Sequence, residues 1–139
     1  MQFLLDTCAL SELVARKPNR DAQEAIVNLP DEAWCMSAMT VGELRRGIDE
    51  MDAGKRREFL EAWFSDHILG IYFSKIVPFD WEAAKIWGSM YADLLNRRLP
   101  MQVEDSIIAA TAMTHGLTVV TRNESDFIHC GVPIFNPWK

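Results

Sequence analysis

The sequence lacks several features that would assign it to a class of protein at once. No apolar run approaches the ~20 residues that cross a bilayer, and MQFLLDTC meets Asp6 before it can form the long apolar segment of a secretory signal. Cys8, Cys35 and Cys130 have neither CxxC nor Cys/His ligand spacing, which argues against a disulfide framework and against a zinc site. We therefore expect a cytoplasmic protein with reduced cysteines and no membrane contact.

Positive charge is also in deficit, since 14 Lys and Arg face 20 Asp and Glu, for a formal net charge of −6. Taken alone, this balance disfavours a general nucleic-acid binder, because phosphate contacts need cations. A divalent cation held by carboxylates would nevertheless reverse the field locally. The positive charge is moreover clustered, at Arg45-Arg46, at residues 55–57 and at Arg97-Arg98. Net charge therefore does not exclude a nucleic-acid substrate.

The chain of 139 residues contains no internal repeat and no linker, so we expect one domain spanning residues 1–139. Short apolar runs predict buried strands, and stretches with helical periodicity alternate with them. This alternation predicts a parallel sheet covered by helices on both faces. The predicted strands are 3–6, 34–37, 75–80, 117–121 and 133–135, and the predicted helices are 21–29, 38–51, 53–69, 81–98 and 103–116, the last ended by His115-Gly116.

Polar and acidic side chains fall where the predicted strands end. Asp6 ends the first strand, and Asn123 and Asp126 follow the strand TVVT. Glu43 and Asp105 lie in the first turns of two helices, at the same edge of the sheet, where open α/β folds place their sites. Carboxylate oxygens are the ligands that Mg²⁺ and Mn²⁺ prefer. One reading of the pattern is therefore a divalent-metal site that acts on phosphates.

Each acidic residue also has a purely structural reading. Asp6 could begin an Asx-turn after its strand, with Thr7 capping the helix that follows. The helix macrodipole favours Asp105 near a helix N-terminus whether or not a metal is close, and Glu43 could be a solvated helix residue. The residue pattern alone leaves the structural and functional readings open.

Four motifs in order carry a family resemblance: LLDTCALSEL, MTVGELRRGI, VEDSIIAATAMTHGLTVVTRNESDF and the closing IFNPWK. Together they resemble the PIN-domain family, and within it the VapC-type toxins of bacterial toxin–antitoxin pairs, including the FitB-like branch. Residues 50–100 match mainly in pattern. The resemblance implies a three-layer α/β/α domain around a mainly parallel sheet of four to five short strands.

The resemblance also implies the metal ligands, which are Asp6, Glu43 and Asp105. The fourth acidic position is divided, because family members carry an acid either directly after TR or three residues later. Here the first slot holds Asn123, which supplies no charge, and the second holds Asp126. We keep both as candidate catalytic residues, either of which would act outside the direct ligands.

Four further residues near these motifs are candidates for supporting roles in the site. Thr7 and Thr121, at strand ends, are secondary candidates for orienting a water or a carboxylate. Arg45 and Arg46 are candidates for RNA contact, although they could equally be solvated helix charges or meet an acidic antitoxin tail. Glu104 is left out, because it points about 100° around the helix from Asp105. Trp138 is expected to be available for packing against a neighbouring subunit.

The implied function is a Mg²⁺- or Mn²⁺-dependent endoribonuclease, a toxin that hydrolyses RNA phosphodiester bonds and is neutralised by its cognate antitoxin. The resemblance further implies that the antitoxin is small and binds DNA, that the RNA could be a tRNA, and that the toxin is a homodimer. The alternative is a catalytically weak PIN-like module that only binds a partner. A flap-nuclease-like activity on DNA is disfavoured, because the chain has no helical-arch insertion.

Overall fold

The computed structural model describes all 139 residues and has a five-stranded sheet at its centre. The strands are β1 (Phe3–Leu5), β2 (Trp34–Ser37), β3 (Ile76–Val77), β4 (Thr118–Val120) and β5 (Ile134–Phe135). They lie in the order β3-β2-β1-β4-β5, and every neighbouring pair is parallel. The predicted parallel sheet of short strands is confirmed.

Six α-helices and one π-helical segment connect the strands. The helices are α1 (Thr7–Glu12), α2 (Arg20–Val27), α3 (Ala38–Asp49), α4 (Lys55–Trp63), α5 (Trp81–Asn96) and α6 (Val103–Thr114), and the π-helical segment is Phe64–Ile71. Several of them begin at an oxygen-bearing side chain that accepts a hydrogen bond from the first turn, as Ser37 does for α3 and Asp80 for α5. None of these helices combines the length and the apolarity that a membrane-spanning segment requires.

The sheet separates two apolar cores, which makes the fold three-layered. Leu4 and Val119 point into one core, together with residues of α5 and α6. Their neighbours Leu5 and Val120 point into the other core, together with residues of α1 to α4. Because successive side chains of a strand alternate between faces, burial on both faces explains why these strands are continuously apolar.

The middle strand β1 marks the point where the direction of winding reverses. From β1 the chain adds β2 and β3 on one side, whereas β4 and β5 lie on the other side. The backbone N–H of Asp6 still donates to the carbonyl of Val120, at 3.0 Å, so the two strands remain paired up to this point. In open α/β sheets, sites form in the crevice outside the strand ends at such a reversal. Asp6 and Thr121 are the first residues beyond it.

Several predicted bounds needed correction. Asp6, not Thr7, caps α1, since its carboxylate accepts from the Thr7 N–H. The stretch 53–69 is not one regular helix, because it changes from α4 to the π-helical segment at Phe64. The predicted strand 75–80 is reduced to Ile76–Val77, because Pro78 cannot donate to a ladder. The end of α6 at His115-Gly116 is confirmed, with Gly116 in the left-handed region at a φ of 65°.

Candidate active site

Asp6 is the most deeply buried carboxylate of the site, with 5% of its surface exposed. Its Oδ1 accepts from the N–H of Thr7 at 2.8 Å, and its Oδ2 accepts from the hydroxyl of Thr121 at 2.9 Å. The Cys8 thiol lies 3.6 Å from the same Oδ2. Burial raises the pKa of Asp6, and these three hydrogen bonds oppose the rise by favouring the charged form. The carboxylate is thus held in one orientation by two strand ends.

Glu43 reaches the site from the second turn of α3 and is held by Thr7. The Thr7 hydroxyl donates to Oε1 of Glu43 at 2.6 Å. It also lies 3.2 Å from the hydroxyl of Thr40, and Thr40 is fully buried. Burial is the main cause of the raised pKa of Glu43, and the bond from Thr7 lowers it in part. Thr7 therefore orients a carboxylate, one of the two roles expected for it.

Asp105 lies in the first turn of α6, and its pKa is shifted more than that of the other carboxyl groups of the site. Its pKa is raised to about 7, mainly by partial burial and in addition by the negative charges of Asp6, Asp126, Glu43 and Glu104. Five carboxyl groups therefore act on one another at this edge of the sheet. Such a concentration of like charge is costly unless a cation or a proton offsets it.

This donor set fits a hard divalent cation by its chemistry, since every side chain in it is a carboxylate. No group of three or more His, Cys, Asp or Glu side chains is close enough to hold an ion as the side chains stand. That spacing does not exclude Mg²⁺, which keeps several waters and is usually bound by only one or two carboxylates. The fit of these residues to a divalent cation therefore rests on their carboxylate oxygens and on the repulsion between their negative charges.

An acidic groove connects α3, α6 and the turn after β4. The residues that line it are Glu43, Arg46, Gln102, Glu104, Asp105 and Asp126. Four of these six are acids, and Arg46 is the only cation. The structure thus brings Glu43, Asp105 and Asp126 to one groove, and the buried Asp6 lies close enough for its charge to act on Asp105.

Of the two candidates for the fourth acidic position, the structure brings Asp126 to the groove. Asn123 does not line it, and its side chain makes no hydrogen bond. Its backbone does have a role, because its N–H donates to the Thr121 hydroxyl at 3.1 Å and its carbonyl accepts from the Asp126 N–H at 3.0 Å. Asn123 therefore shapes the turn through its backbone, whereas Asp126 contributes charge.

The expectation that Glu104 points away from Asp105 is not met, because both residues line the groove. Its carboxylate lies 3.8 Å from Arg46 on α3, and its charge raises the pKa of both Asp105 and Glu43. The angle of about 100° between Glu104 and Asp105 describes α6 in isolation. In the fold, α3 lies beside the first turn of α6, so adjacent residues of that turn face one cleft.

The structure separates the two arginines. Arg45 binds both carboxylate oxygens of Glu61, at 2.6 and 3.0 Å, and also contacts Asp49 and the ring of Phe64. Arg46 makes only longer contacts, 3.5 Å to Glu50 and 3.8 Å to Glu104. Arg46 faces the groove, whereas Arg45 joins α3 to α4.

The carboxyl-terminal residues form hydrogen bonds to α1 and to the turn after β4. Trp138 donates its Nε1–H to Oε1 of the buried Glu12 at 2.9 Å, so it packs within its own chain. Its expected contact with a neighbouring subunit stays a prediction, since Trp138 remains partly exposed. Asn136 donates to the carbonyl of Arg122 and to Glu124, which holds the turn that presents Asp126. The polar residues of the FNPWK motif were the signal for this role.

Comparison with known proteins shows likeness over almost the whole chain. A model described as the PIN domain matches residues 3–131. VapC ribonuclease Y4jK from Sinorhizobium fredii is 35% identical over 137 residues, 99% of this chain and 98% of that protein. Toxin FitB from Neisseria gonorrhoeae is 35% identical over 136 residues, 98% of each. The solved structure of FitAB bound to the IR36 DNA fragment matches with a TM-score of 0.91 at 33% identity, covering 99% of this chain and 96% of that one.

Proposed function

Because the chain belongs to the PIN-domain family, we propose that it is a toxin ribonuclease of the VapC type. It would hydrolyse RNA phosphodiester bonds and be neutralised by a cognate antitoxin. The observation that carries this proposal is the acidic groove, where carboxylates from α3, α6 and the turn after β4 act on one another and on the buried Asp6 beyond the end of β1. The similarity to a named VapC ribonuclease over nearly the full length of both proteins supports the same conclusion.

The proposed cofactor is Mg²⁺ or Mn²⁺, with Asp6, Glu43 and Asp105 as its ligands. A bound divalent ion would polarise the phosphodiester and lower the pKa of a coordinated water. The raised pKa values of the three carboxyls support this assignment, because a cation among them would offset the repulsion and favour their charged forms.

The other residues of the groove are proposed to orient the ligands. The Thr121 hydroxyl fixes Oδ2 of Asp6, and the Thr7 hydroxyl fixes Oε1 of Glu43. Asp126 adds the fourth negative charge, and the Asn123 backbone holds the turn that carries it. Outer partners of this kind typically change metal affinity or activity about 10- to 100-fold when they are removed.

Arg46 is proposed to contact an RNA phosphate. It is the only cation lining the groove, and both of its contacts to carboxylates are long. Such contacts between exposed side chains are weak, so the guanidinium can turn toward a phosphate at little cost. Arg45 is not proposed for this role, because Glu61 and Asp49 already occupy its guanidinium.

The proposed partners are a small DNA-binding antitoxin, an RNA substrate such as a tRNA, and a second copy of the chain in a homodimer. The antitoxin is supported by the likeness to FitAB, a complex solved on a DNA fragment. A short upstream open reading frame whose product binds both DNA and this chain would support this proposal. Failure of the two products to associate when they are coexpressed would contradict it.

The test of function is growth arrest after induction of the chain alone. Wild type is expected to arrest growth, whereas Asp6→Asn and Asp105→Asn are not. Asp52→Asn is the matched control, since Asp52 is exposed and does not line the groove. If both groove variants arrested growth as strongly as wild type, at equal protein levels, the carboxylates would not support the toxicity.

The second candidate function is a PIN-like module that binds its partner without cleaving RNA. Two observations favour it: Asn123 supplies no charge at one acidic slot, and no three carboxylates stand close enough to hold an ion. Purified chain that binds the antitoxin but cleaves no RNA with either Mg²⁺ or Mn²⁺ would support this alternative. Metal-dependent cleavage that Asp105→Asn abolishes would exclude it.

A further inference from the structure

A second pocket, of about 240 Å³, opens beside the acidic groove. Gln102, Asp105 and Asp126 line both cavities, so the pocket shares a wall with the proposed metal site. We call it the side pocket. Any group bound in it would lie directly beside a phosphate held in the groove.

Part of the lining of the side pocket is apolar. Leu99 and Met101 line it, are partly buried and pack on the core, whereas Leu94 beside them is fully buried and presents no surface of its own. The exposed parts of Leu99 and Met101 offer an apolar contact to the face of a planar ring.

Three side chains that can form hydrogen bonds also line the side pocket. The side chains of Gln102, Ser125 and His129 line it, and none of the three has a hydrogen-bond partner within the chain. An amide provides both donors and an acceptor, a hydroxyl provides both, and an imidazole provides one of each when neutral. Such a set suits the mixed donor and acceptor edge of a nucleobase.

The walls of the side pocket are already held in place. Arg97 donates through Nη2 to the carbonyl of His129 at 2.9 Å, and the Tyr91 hydroxyl donates to the carbonyl of Met101 at 3.3 Å. The N–H of Leu99 donates to the carbonyl of Leu94 at 2.9 Å. Three links thus fix the loop after α5 against its surroundings, which lowers the cost of ordering it when a ligand binds.

We propose that the side pocket binds one unstacked base of the RNA, adjacent to the phosphate that is cleaved, and thereby selects the cleavage position. This inference rests on the proposed ribonuclease function. The volume lies below the ~300–1,000 Å³ of pockets for drug-sized ligands, so it suits a single base better than a larger group. Sequence-specific recognition of RNA usually reads bases that are splayed out of single-stranded loops.

A cationic side chain of a partner protein is the competing occupant, because Asp105 and Asp126 lie on the shared wall. A base is favoured because it can use the uncharged amide of Gln102 and hydroxyl of Ser125 together with the apolar surface of Leu99 and Met101, whereas a cation would use only the carboxylates. The two occupants are separated by the experiments below.

The binding test uses the full chain without metal and the four nucleoside 5′-monophosphates, with ribose 5-phosphate as the comparison. The ring signals of His129 are followed by NMR and are assigned through His129→Ala. At least one nucleotide is expected to shift them saturably, ribose 5-phosphate is not, and Gln102→Ala should weaken the binding about fivefold or more. Equal shifts with ribose 5-phosphate, or no shift with any nucleotide, would overturn the inference.

The cleavage test uses an RNA library randomised around the cut, with Mn²⁺ added and the products sequenced. Wild type is expected to prefer particular bases at one flanking position. Gln102→Ala and His129→Ala should reduce that preference about tenfold at this position alone. The matched controls are Gln2→Ala, at the opposite edge of the sheet, and His115→Ala, at the other end of α6, and both should keep the wild-type preference.

The outcomes distinguish this inference from the proposed function. If wild type cleaves no RNA but nucleotides shift His129 as expected, the ribonuclease proposal fails together with the selection of a cleavage position, and only the binding of a base stands. If wild type cleaves RNA and the variants keep its base preference, the base pocket fails alone. If the variants weaken antitoxin binding while the base preference is unchanged, the pocket belongs to the partner and the inference is overturned.

Discussion

The hydroxyl of Thr121 lies 2.9 Å from Oδ2 of Asp6 and joins the ends of two neighbouring strands. The register pairs Leu5 with Val120, so the parallel strands bring the next two residues side by side. Thr121 also accepts from the Asn123 N–H at 3.1 Å. One buried hydroxyl therefore orients the deepest carboxylate of the site and fixes the start of the turn that leads to Asp126.

Replacing Thr121 by Val tests this relationship, because the shape is kept and the hydroxyl is lost. Asp6 would lose a bond that favours its charged form, so the Mn²⁺ concentration for half-maximal RNA cleavage should rise about 10- to 100-fold. Thr121→Ser, which retains the hydroxyl, should stay close to wild type. A Val variant with a wild-type metal requirement would show that the bond has no role in the site.

The stability of the metal-free protein should fall as the pH rises toward neutrality. The pKa of Asp105 is raised from 3.8 to about 7, so between these values the folded state keeps a proton that the unfolded state has lost. The stabilisation by this proton is complete below pH ~4 and is lost as the pH passes ~7. The free energy of unfolding should fall by an amount on the order of 1–2 kcal/mol, because Asp105 is only partly buried.

Chemical denaturation at pH 5 and pH 8 measures this effect. Asp105→Asn should reduce the difference in unfolding free energy between the two conditions, while Asp52→Asn should not. Part of the difference should remain, because the pKa values of Asp6 and Glu43 are raised in the same direction. An unchanged difference in Asp105→Asn would contradict the crowding of charge around this residue.

Removing the charge of Arg46 should weaken RNA binding more than it slows the chemical step. We expect Arg46→Gln to raise the KM for RNA and to reduce the slope of log affinity against log salt by about one phosphate contact. Arg16→Gln is the control, since Arg16 is exposed in the loop after α1 and lies outside the groove. Equal salt slopes for Arg46→Gln and wild type would exclude a phosphate contact.

The arrangement of the acidic groove was predictable where it follows from parallel strands. Asp6 follows a buried run, and Asp105 opens an apolar helix, so their convergence at one sheet edge follows from the order of elements. The sequence could not show which of Asn123 and Asp126 faces the groove, because a turn of a few residues can present either one. The structure distinguishes them, because Asp126 lines the groove and Asn123 does not.

Side-chain partners from distant elements were the least predictable part. Arg45 and Arg46 are adjacent and chemically identical. Their contacts differ because α4 places Glu61 beside Arg45 and not beside Arg46. The angle around α6 predicts that Glu104 points away from Asp105. That prediction ignores the neighbouring α3, whose Arg46 contacts Glu104. Both cases depend on how helices pack against each other, and spacing along one helix carries no information about that.

Trp138 should contribute to stability far more than its terminal position suggests. It covers the buried Glu12, which would lose a hydrogen bond along with the packing of the ring. We expect Trp138→Ala to lower the free energy of unfolding by about 2 kcal/mol in urea. The control is Trp81→Ala, because Trp81 is 74% exposed and its loss should change stability little. Equal effects of the two substitutions would contradict a role for the terminal residues in holding the fold.

The most direct test of the account is RNA cleavage by purified chain that has first been stripped of metal with a chelator. Wild type should be inactive until Mg²⁺ or Mn²⁺ is added, and Asp105→Asn should then remain at least ~100-fold less active, because oxygen ligands and their charge are the proposed basis of catalysis. Asp52→Asn should recover with wild type. Cleavage by the stripped wild type, or equal metal-dependent cleavage by Asp105→Asn, would contradict the proposed metal-dependent ribonuclease.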